Sequence, residues 1–313
     1  MITFEELQAA FKQRDAATIL ANADALLMSG NCPPEQIGWV FYYKCDAALD
    51  QNQVVLAIAA GEQALSWSQS AHEGTLEGRV RICLAFALMA LGRVADAAAL
   101  LEAYIDGLTR HPEWAQFEDL ARYNLAWAYR QSGRLVEAVT QYRAALALPE
   151  SRPETHVQIR QNLAWALMLL GDSAGARIEL DLVARSVREE LDLARMTSLW
   201  ADRAALHLLE GDREAAKQAC QQVLRALDER QRHVHLATTY ITLGRIALAE
   251  ANLEETQRCA MLARTHAEQA ERWDLHNEGT QLWVAATQKG GNAHDQGGLA
   301  TAARLLLISR NLP

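Results

Sequence analysis

The sequence predicts an all-α solenoid, one helical hairpin repeated along the whole chain, and three observations predict it. A residue that tolerates or forces a helix stop recurs at Asn52, Gly92, Gly133, Gly171, Gly211, Ala251 and Gly290, at intervals of 38 to 41 residues. Two stretches repeat almost letter for letter: Asn124-Leu125-Ala126-Trp127-Ala128 returns as Asn162-Leu163-Ala164-Trp165-Ala166, with Gly133 returning as Gly171, Ala138 as Ala176 and Tyr142 as Leu180, always 38 residues on. On both sides of each stop, apolar residues recur at spacings of three and four, the period of a helix with one buried stripe. Hairpins of this kind bury their faces only against neighbouring copies, so the array extends as a solenoid and leaves long grooves open.

Taken in order, residues 3 to 28 read as an opening hairpin broken near Arg14-Asp15, and Ser29 to Glu35 as the first loop. Cys45, Ala48, Asn52, Ala57 and Ala64 keep the frame loosely, and Leu84-Ala85, Leu88, Gly92, Ala97 and Leu101 keep it closely. In the central unit, Leu125, Ala126 and Tyr129 form the first stripe, Gly133 supplies the left-handed residue that closes a helix, and Ala138, Tyr142 and Ala145 form the second stripe. Alanine stands where two helix axes must approach closely. The frame continues through Ala204, His207, Gly211, Ala216 and Cys220, then Leu243-Gly244, Ala247, Ala251 and Ala260. Polar stretches at 70 to 78, 108 to 113, 149 to 155 and 271 to 279 separate units, and Pro33-Pro34, Pro112, Pro149 and Pro153 sit between them, where a missing amide proton does least harm. Residues 1 to 288 are expected to be the array, 289 to 298 a flexible glycine-rich loop, and 299 to 313 a helix that caps the last repeat.

The order Asn124-Leu125-Ala126, Tyr129, Gly133, Ala138, Tyr142, Ala145 and Pro149 resembles the small-and-large signature of the tetratricopeptide repeat, and Leu243-Gly244 is a second good match. The resemblance covers nearly the whole chain and implies a right-handed superhelix of seven or eight hairpins. The period exceeds the family's usual ~34 residues, a difference that longer helices or longer connections absorb.

Composition bounds the function. Hydrophobic residues make up 50% of the 313 residues and aromatics 6%, a balance suited to close helix packing. The net charge of −9, with lysines and arginines dispersed among carboxylates, argues against nucleic acid, which needs a basic stripe. No apolar run approaches the ~18 residues of a membrane span, and Met1-Ile2-Thr3-Phe4-Glu5-Glu6 lacks the basic and apolar regions of a signal peptide, so a cytoplasmic chain is expected. Cys32, Cys45, Cys83, Cys220 and Cys259 show no close pairing in the sequence and read as reduced, buried thiols. His233-x-His235 lacks further ligands at metal spacing, and no phosphate cradle or nucleophile elbow is present, so no metal, cofactor or catalytic residue is expected.

The informative constellation lies on the first helices. Asn124 and Trp127, like Asn162 and Trp165, are three residues apart and therefore share one side of a helix; Leu120 and Gln131 extend the first face, Gln158 and Leu169 the second. Equivalent places in flanking units are held by Tyr43 and Asp46, Cys83 and Phe86, Asp202 and Ala205, and Thr242 and Arg245. The family resemblance implies that first helices line a concave groove, so Asn124, Trp127, Gln131, Gln158, Asn162, Trp165 and Arg245 are the candidate peptide- or partner-binding residues. An asparagine amide both donates and accepts, and so can hold the backbone of an extended peptide whatever its side chains. Each such bond is worth roughly 1 kcal/mol, too little for a micromolar complex at ~8 kcal/mol, so the tryptophans must supply much of the rest. Arg79, Arg81, Arg122, Arg130 and Arg160 stand near the same helices and could read a carboxylate. The expected function is a non-catalytic binding scaffold or adaptor for a protein or extended peptide. The alternative is a peptide- or small-ligand-responsive regulator without its own DNA-binding segment, and a third use is self-assembly through the C-terminal helix.

Overall fold

A computed structural model describes residues 2–149, 153–186, 193–226, 233–270 and 273–291, and among them every regular element is helical. The chain forms two compact units, residues 1–150 and 151–313, each described by itself.

The first unit holds four hairpins: α1 (Phe4–Lys12) with α2 (Ala16–Met28), α3 (Ile37–Asp50) with α4 (Val54–Ser70), α5 (Gly74–Ala90) with α6 (Val94–Gly107), and α7 (Glu118–Gln131) with α8 (Leu135–Leu146). The second holds α9 (Pro153–Leu170) with α10 (Ser173–Ser186), α11 (Leu193–Leu209) with α12 (Arg213–Ala226), α13 (His233–Ala249) with α14 (Leu253–Gln269), and then α15 (Trp273–Gly291). Within the first unit α3 lies beside α5 and α5 beside α7; within the second α9 lies beside α11, α11 beside α13, and α13 beside α15. Leading helices thus run side by side in each unit, which is the stacking expected of repeated hairpins.

The turns inside the hairpins show why the period is so regular. Asn52, Gly92, Gly133, Gly171, Gly211 and Ala251 all hold a positive φ, between 54° and 85°. At each turn the next amide reaches back five residues, as Arg134 N–H does to the Tyr129 carbonyl at 2.8 Å and Asp212 N–H to His207 at 2.9 Å. This is the hydrogen bond that closes a helix with a left-handed residue. Arg14 (φ 55°) makes the same turn in the opening hairpin, and Asp15, the residue after it, caps α2 by accepting from the Thr18 amide. Asp172, Asp212 and Asn252 do likewise at 2.8, 3.0 and 3.1 Å. Five residues beyond five of these six stops, Ala57, Ala97, Ala138, Ala176 and Ala216 are fully buried, and the small side chain lets the paired helices meet closely; beyond Ala251 the place is held by the equally buried Thr256.

Some expectations need correcting. Gly290 is no hairpin stop: it lies in the last turn of α15, and that helix also occupies most of the stretch 271 to 279 and the first three residues of the supposed loop. The remainder of that loop, and the capping helix at 299 to 313, lie outside the described residues. The interval of 41 residues before Gly133 has its own cause, a 3-10 turn at Pro112–Phe117 whose Trp114 is buried. The indole N–H donates to the Gly74 carbonyl at 2.7 Å. Gly78 and Gly107 make room for the ring, since a Cβ at either would come within 2.6 and 2.5 Å of it. The same turn brings Phe117 to the start of α7.

Candidate functional site

In the first unit, α3, α5 and α7 present the predicted face. Asn124 is only 4% exposed, yet its amide makes no hydrogen bond among the described residues. A turn further on, Trp127 is half-buried, and its ring lies 5.7 Å from that of Phe86, which is 40% exposed. Gln131 is half-buried beyond it. Toward the start of the helices Arg79 is half-buried between two rings, its guanidinium carbon 4.6 Å from the Phe117 centroid and 5.9 Å from that of Trp39. Its side chain touches the Tyr42 hydroxyl and forms no ion pair among the described residues. Of the other arginines near this face, Arg81 is paired with Glu77 and Arg122 with Glu118, each at 2.7 Å, while Arg130 lies close to Tyr142 and forms no ion pair among the described residues.

The far end of α3 carries the opposite sign. Burial, and then the neighbouring charge of Asp50, raise the pKa of Asp46, so the carboxyl is easier to protonate than an ordinary aspartate. Beside it the Cys45 and Cys83 sulfurs stand 3.3 Å apart. The two cysteines are the reduced, buried thiols expected from the sequence, and they meet because residues 38 apart are one repeat apart and therefore stack. The hydrogen bond to Cys45, then burial, hold the Cys83 thiol well above its ordinary pKa; both cysteines are free thiols. In the second unit burial likewise pushes the Cys220 and Cys259 thiols up to about 12, so these two, like Cys83, stay protonated and poorly nucleophilic.

In the second unit the same motif has another fate. The Trp165 indole N–H donates to Asp202 Oδ1 on α11 at 2.6 Å, and Gln161 donates to Asp202 Oδ2 at 3.1 Å. Asn162 donates to the Gln158 carbonyl one turn back at 3.0 Å, while the Gln158 side chain is exposed. Arg245 is not an open groove cation. It pairs with Glu278 at 2.8 Å, with side chains 7% and 4% exposed, and so joins α13 to α15. Arg160, on α9, pairs with Glu179 at 2.7 Å. Asn124 and Trp127 belong to the first unit and Asn162 and Trp165 to the second, and each pair is read within its own unit.

Sequence reasoning missed Glu278, Phe117 and Trp39, and it did not single out Asp202 as the partner of Trp165. The usable signal is distance along the chain. Phe86 to Trp127 is 41 residues, Trp165 to Asp202 is 37, and Arg245 to Glu278 is 33, so side chains about one repeat apart are the ones that touch. His233 belongs to the same group: its Nδ1 lies 3.1 Å from His266 Nδ1, 33 residues on, and not against His235. Among the described residues no cluster of three or more His, Cys, Asp or Glu could hold a metal.

The tetratricopeptide repeat family pattern matches residues 120–152, the hairpin of α7 and α8 that carries Asn124 and Trp127. That hairpin is a tetratricopeptide repeat, and the helical-hairpin array around it has the fold of tetratricopeptide-repeat proteins. Its fold is similar to a tetratricopeptide repeat protein from Parabacteroides merdae, at 17% identity and a TM-score of 0.65, over 91% of this chain and 98% of that one. It is also similar to the apo form of the quorum sensor NprR from B. thuringiensis, at 13% identity and a TM-score of 0.61, over 92% and 89%. A third is the apo form of RapI, at 10% identity and a TM-score of 0.62, over 92% and 87%. No protein of curated function matches the sequence significantly. At these identities the likeness establishes the tetratricopeptide fold alone. No helix among the described residues is long and apolar enough to cross a membrane.

Proposed function

We propose that this protein is a non-catalytic, cytoplasmic binding module, and that the face of α3, α5 and α7 takes an extended peptide or an extended segment of a partner protein. The observation that carries this reading is the unspent chemistry of that face. Asn124 has an amide with no internal partner, and Phe86 and Trp127 offer apolar ring surface to whatever docks. That amide can donate to and accept from a peptide backbone without giving up an internal hydrogen bond. Rings at the centre of an interface supply the larger share of affinity.

A second reading, a regulator that responds to a peptide and passes the signal on, is favoured by the likeness in fold to the quorum sensor NprR. In both readings the first event is the same. The test is a titration with a randomised peptide pool, followed by tryptophan fluorescence. Saturable quenching is expected in the parent protein, and Asn124→Ala should weaken binding about fivefold, the equivalent of ~1 kcal/mol. A flat titration, or affinity untouched by both Asn124→Ala and Trp127→Ala, would reject the binding face. Small-angle scattering then separates the readings: a changed radius of gyration at saturation marks the regulator.

A further inference from the structure

We infer that Arg79 is a carboxylate-reading residue: the face of the first unit selects peptides that carry an acidic group, seated on the guanidinium between Trp39 and Phe117, with an apolar side chain further along against Phe86 and Trp127. This rests on the peptide-binding reading and names its ligand class. Of the arginines on or beside this face, Arg81 and Arg122 are neutralised by glutamates of their own helices, and Arg130, also without an ion pair among the described residues, lies beside the buried Tyr142 of its own hairpin. Arg79 is held between two rings without a carboxylate, in a chain whose net charge is −9. Acidic groups elsewhere are plentiful, so a half-buried guanidinium left without one is a vacancy for an anion of the right geometry. A guanidinium presents a planar fork that matches a carboxylate with two parallel hydrogen bonds. Arg79 touches the Tyr42 hydroxyl and lies beside the rings of Trp39 and Phe117, and its Nε–H has no hydrogen-bond partner among the described residues.

The layout also sets spacing and direction. Arg79 and Phe86 are seven residues apart on α5, about 10 Å along the axis, which an extended chain spans in roughly three residues. At the other end of the face stand Asp46 and Asp50, which repel a second acid and favour the amino end of the ligand there. The acidic group therefore lies at the Arg79 end, with the apolar anchor about three residues before it. A C-terminal carboxylate and an aspartate or glutamate side chain offer the same chemistry.

Three randomised octapeptide pools distinguish the sources and test the claim: free acids lacking Asp and Glu, C-terminal amides containing Asp and Glu, and C-terminal amides lacking both. The full chain should hold the first or the second at least tenfold more tightly than the third, and which of the two wins identifies the source. Arg79→Gln should abolish that preference, bringing the first and second pools to the affinity that the same variant shows for the third. Arg79→Lys, which keeps the charge and the stem but loses the fork, should restore part of it and stands in should the glutamine variant fold poorly by circular dichroism. Equal binding of all three pools, or a preference that survives in Arg79→Gln and Arg79→Lys alike, overturns the role of Arg79 and leaves the peptide-binding reading standing. Failure of every pool to bind overturns both.

Discussion

The same five residues, Asn-Leu-Ala-Trp-Ala, occur once in each unit and meet different neighbours. In the first unit Trp127 faces Phe86, one repeat earlier, and the contact is ring against ring with apolar surface left over. In the second unit Trp165 faces Asp202, one repeat later, and its indole N–H is consumed by a carboxylate that Gln161 also holds. Asn124 keeps its amide unbonded, whereas Asn162 bonds back to the Gln158 carbonyl. A repeat motif therefore specifies a position on a helix, and the residue stacked beside it decides whether that position is used for cohesion or left for a ligand. By this measure the leading helices of the second unit are joined by polar and charged contacts, and those of the first expose rings and a caged cation.

The largest test of that contrast is the buried ion pair. Arg245→Met leaves the Glu278 carboxylate without its counter-charge between α13 and α15, and should cost about 3–5 kcal/mol in urea unfolding. The double variant Arg245→Met/Glu278→Leu should recover most of that loss, because two apolar groups replace two desolvated charges. A single variant as stable as the parent would mean that the pair contributes no cohesion. Next comes tryptophan against tryptophan. Trp165→Phe removes a hydrogen bond to a carboxylate and should cost ~1.5–3 kcal/mol, whereas Trp127→Phe keeps a ring beside Phe86 and should change stability by under about 1 kcal/mol. Equal losses would erase the distinction between the units. A smaller step, roughly 1 kcal/mol, is expected for Asn162→Ala, and none for Asn124→Ala, whose effect belongs in peptide affinity.

Much of the fold was legible because the helix stop is a local backbone event. A residue that must adopt positive φ is restricted to glycine, asparagine or a strained substitute, and six of the seven positions read from the sequence have that conformation. Arg14 and Ala251 show the limit, since neither is a residue that prefers the left-handed region, and at Ala251 a Cβ costs roughly 1 kcal/mol there. Gly290 shows the converse, a glycine inside a helix. The site was legible only as far as a face. That Asn124 and Trp127 share a side follows from helical geometry, but whether Trp165 is free depends on Asp202, which sequence proximity does not reveal. Arg245 looked like a groove cation because its partner lies on α15, a helix the repeat frame did not anticipate. Arg79 and Phe117 meet because Trp114 inserts a turn between repeats, an irregularity that a periodic reading smooths over.

The smallest expected effect is a pH dependence in the second unit. His266 is flanked by His233 at 3.1 Å and stacked on Tyr240, with ring centroids 5.8 Å apart. Burial, and then the charge of protonated His233, lower its pKa below the ordinary 6.5, and the nearby Gln269 opposes this. A histidine with a depressed folded pKa binds protons more readily when unfolded. Its contribution to stability is therefore complete above pH 6.5 and is lost as the pH falls through the folded value. Hydrogen exchange measured on α13 and α14 should accelerate between pH 7 and pH 5, after correction for the intrinsic rate, while α7 and α8 in the first unit hold steady. His266→Phe preserves the ring stack and removes the titration, so the acceleration should flatten. If it persists in His266→Phe, the proton is taken up elsewhere, and the two units do not differ in the way the stacked histidines imply.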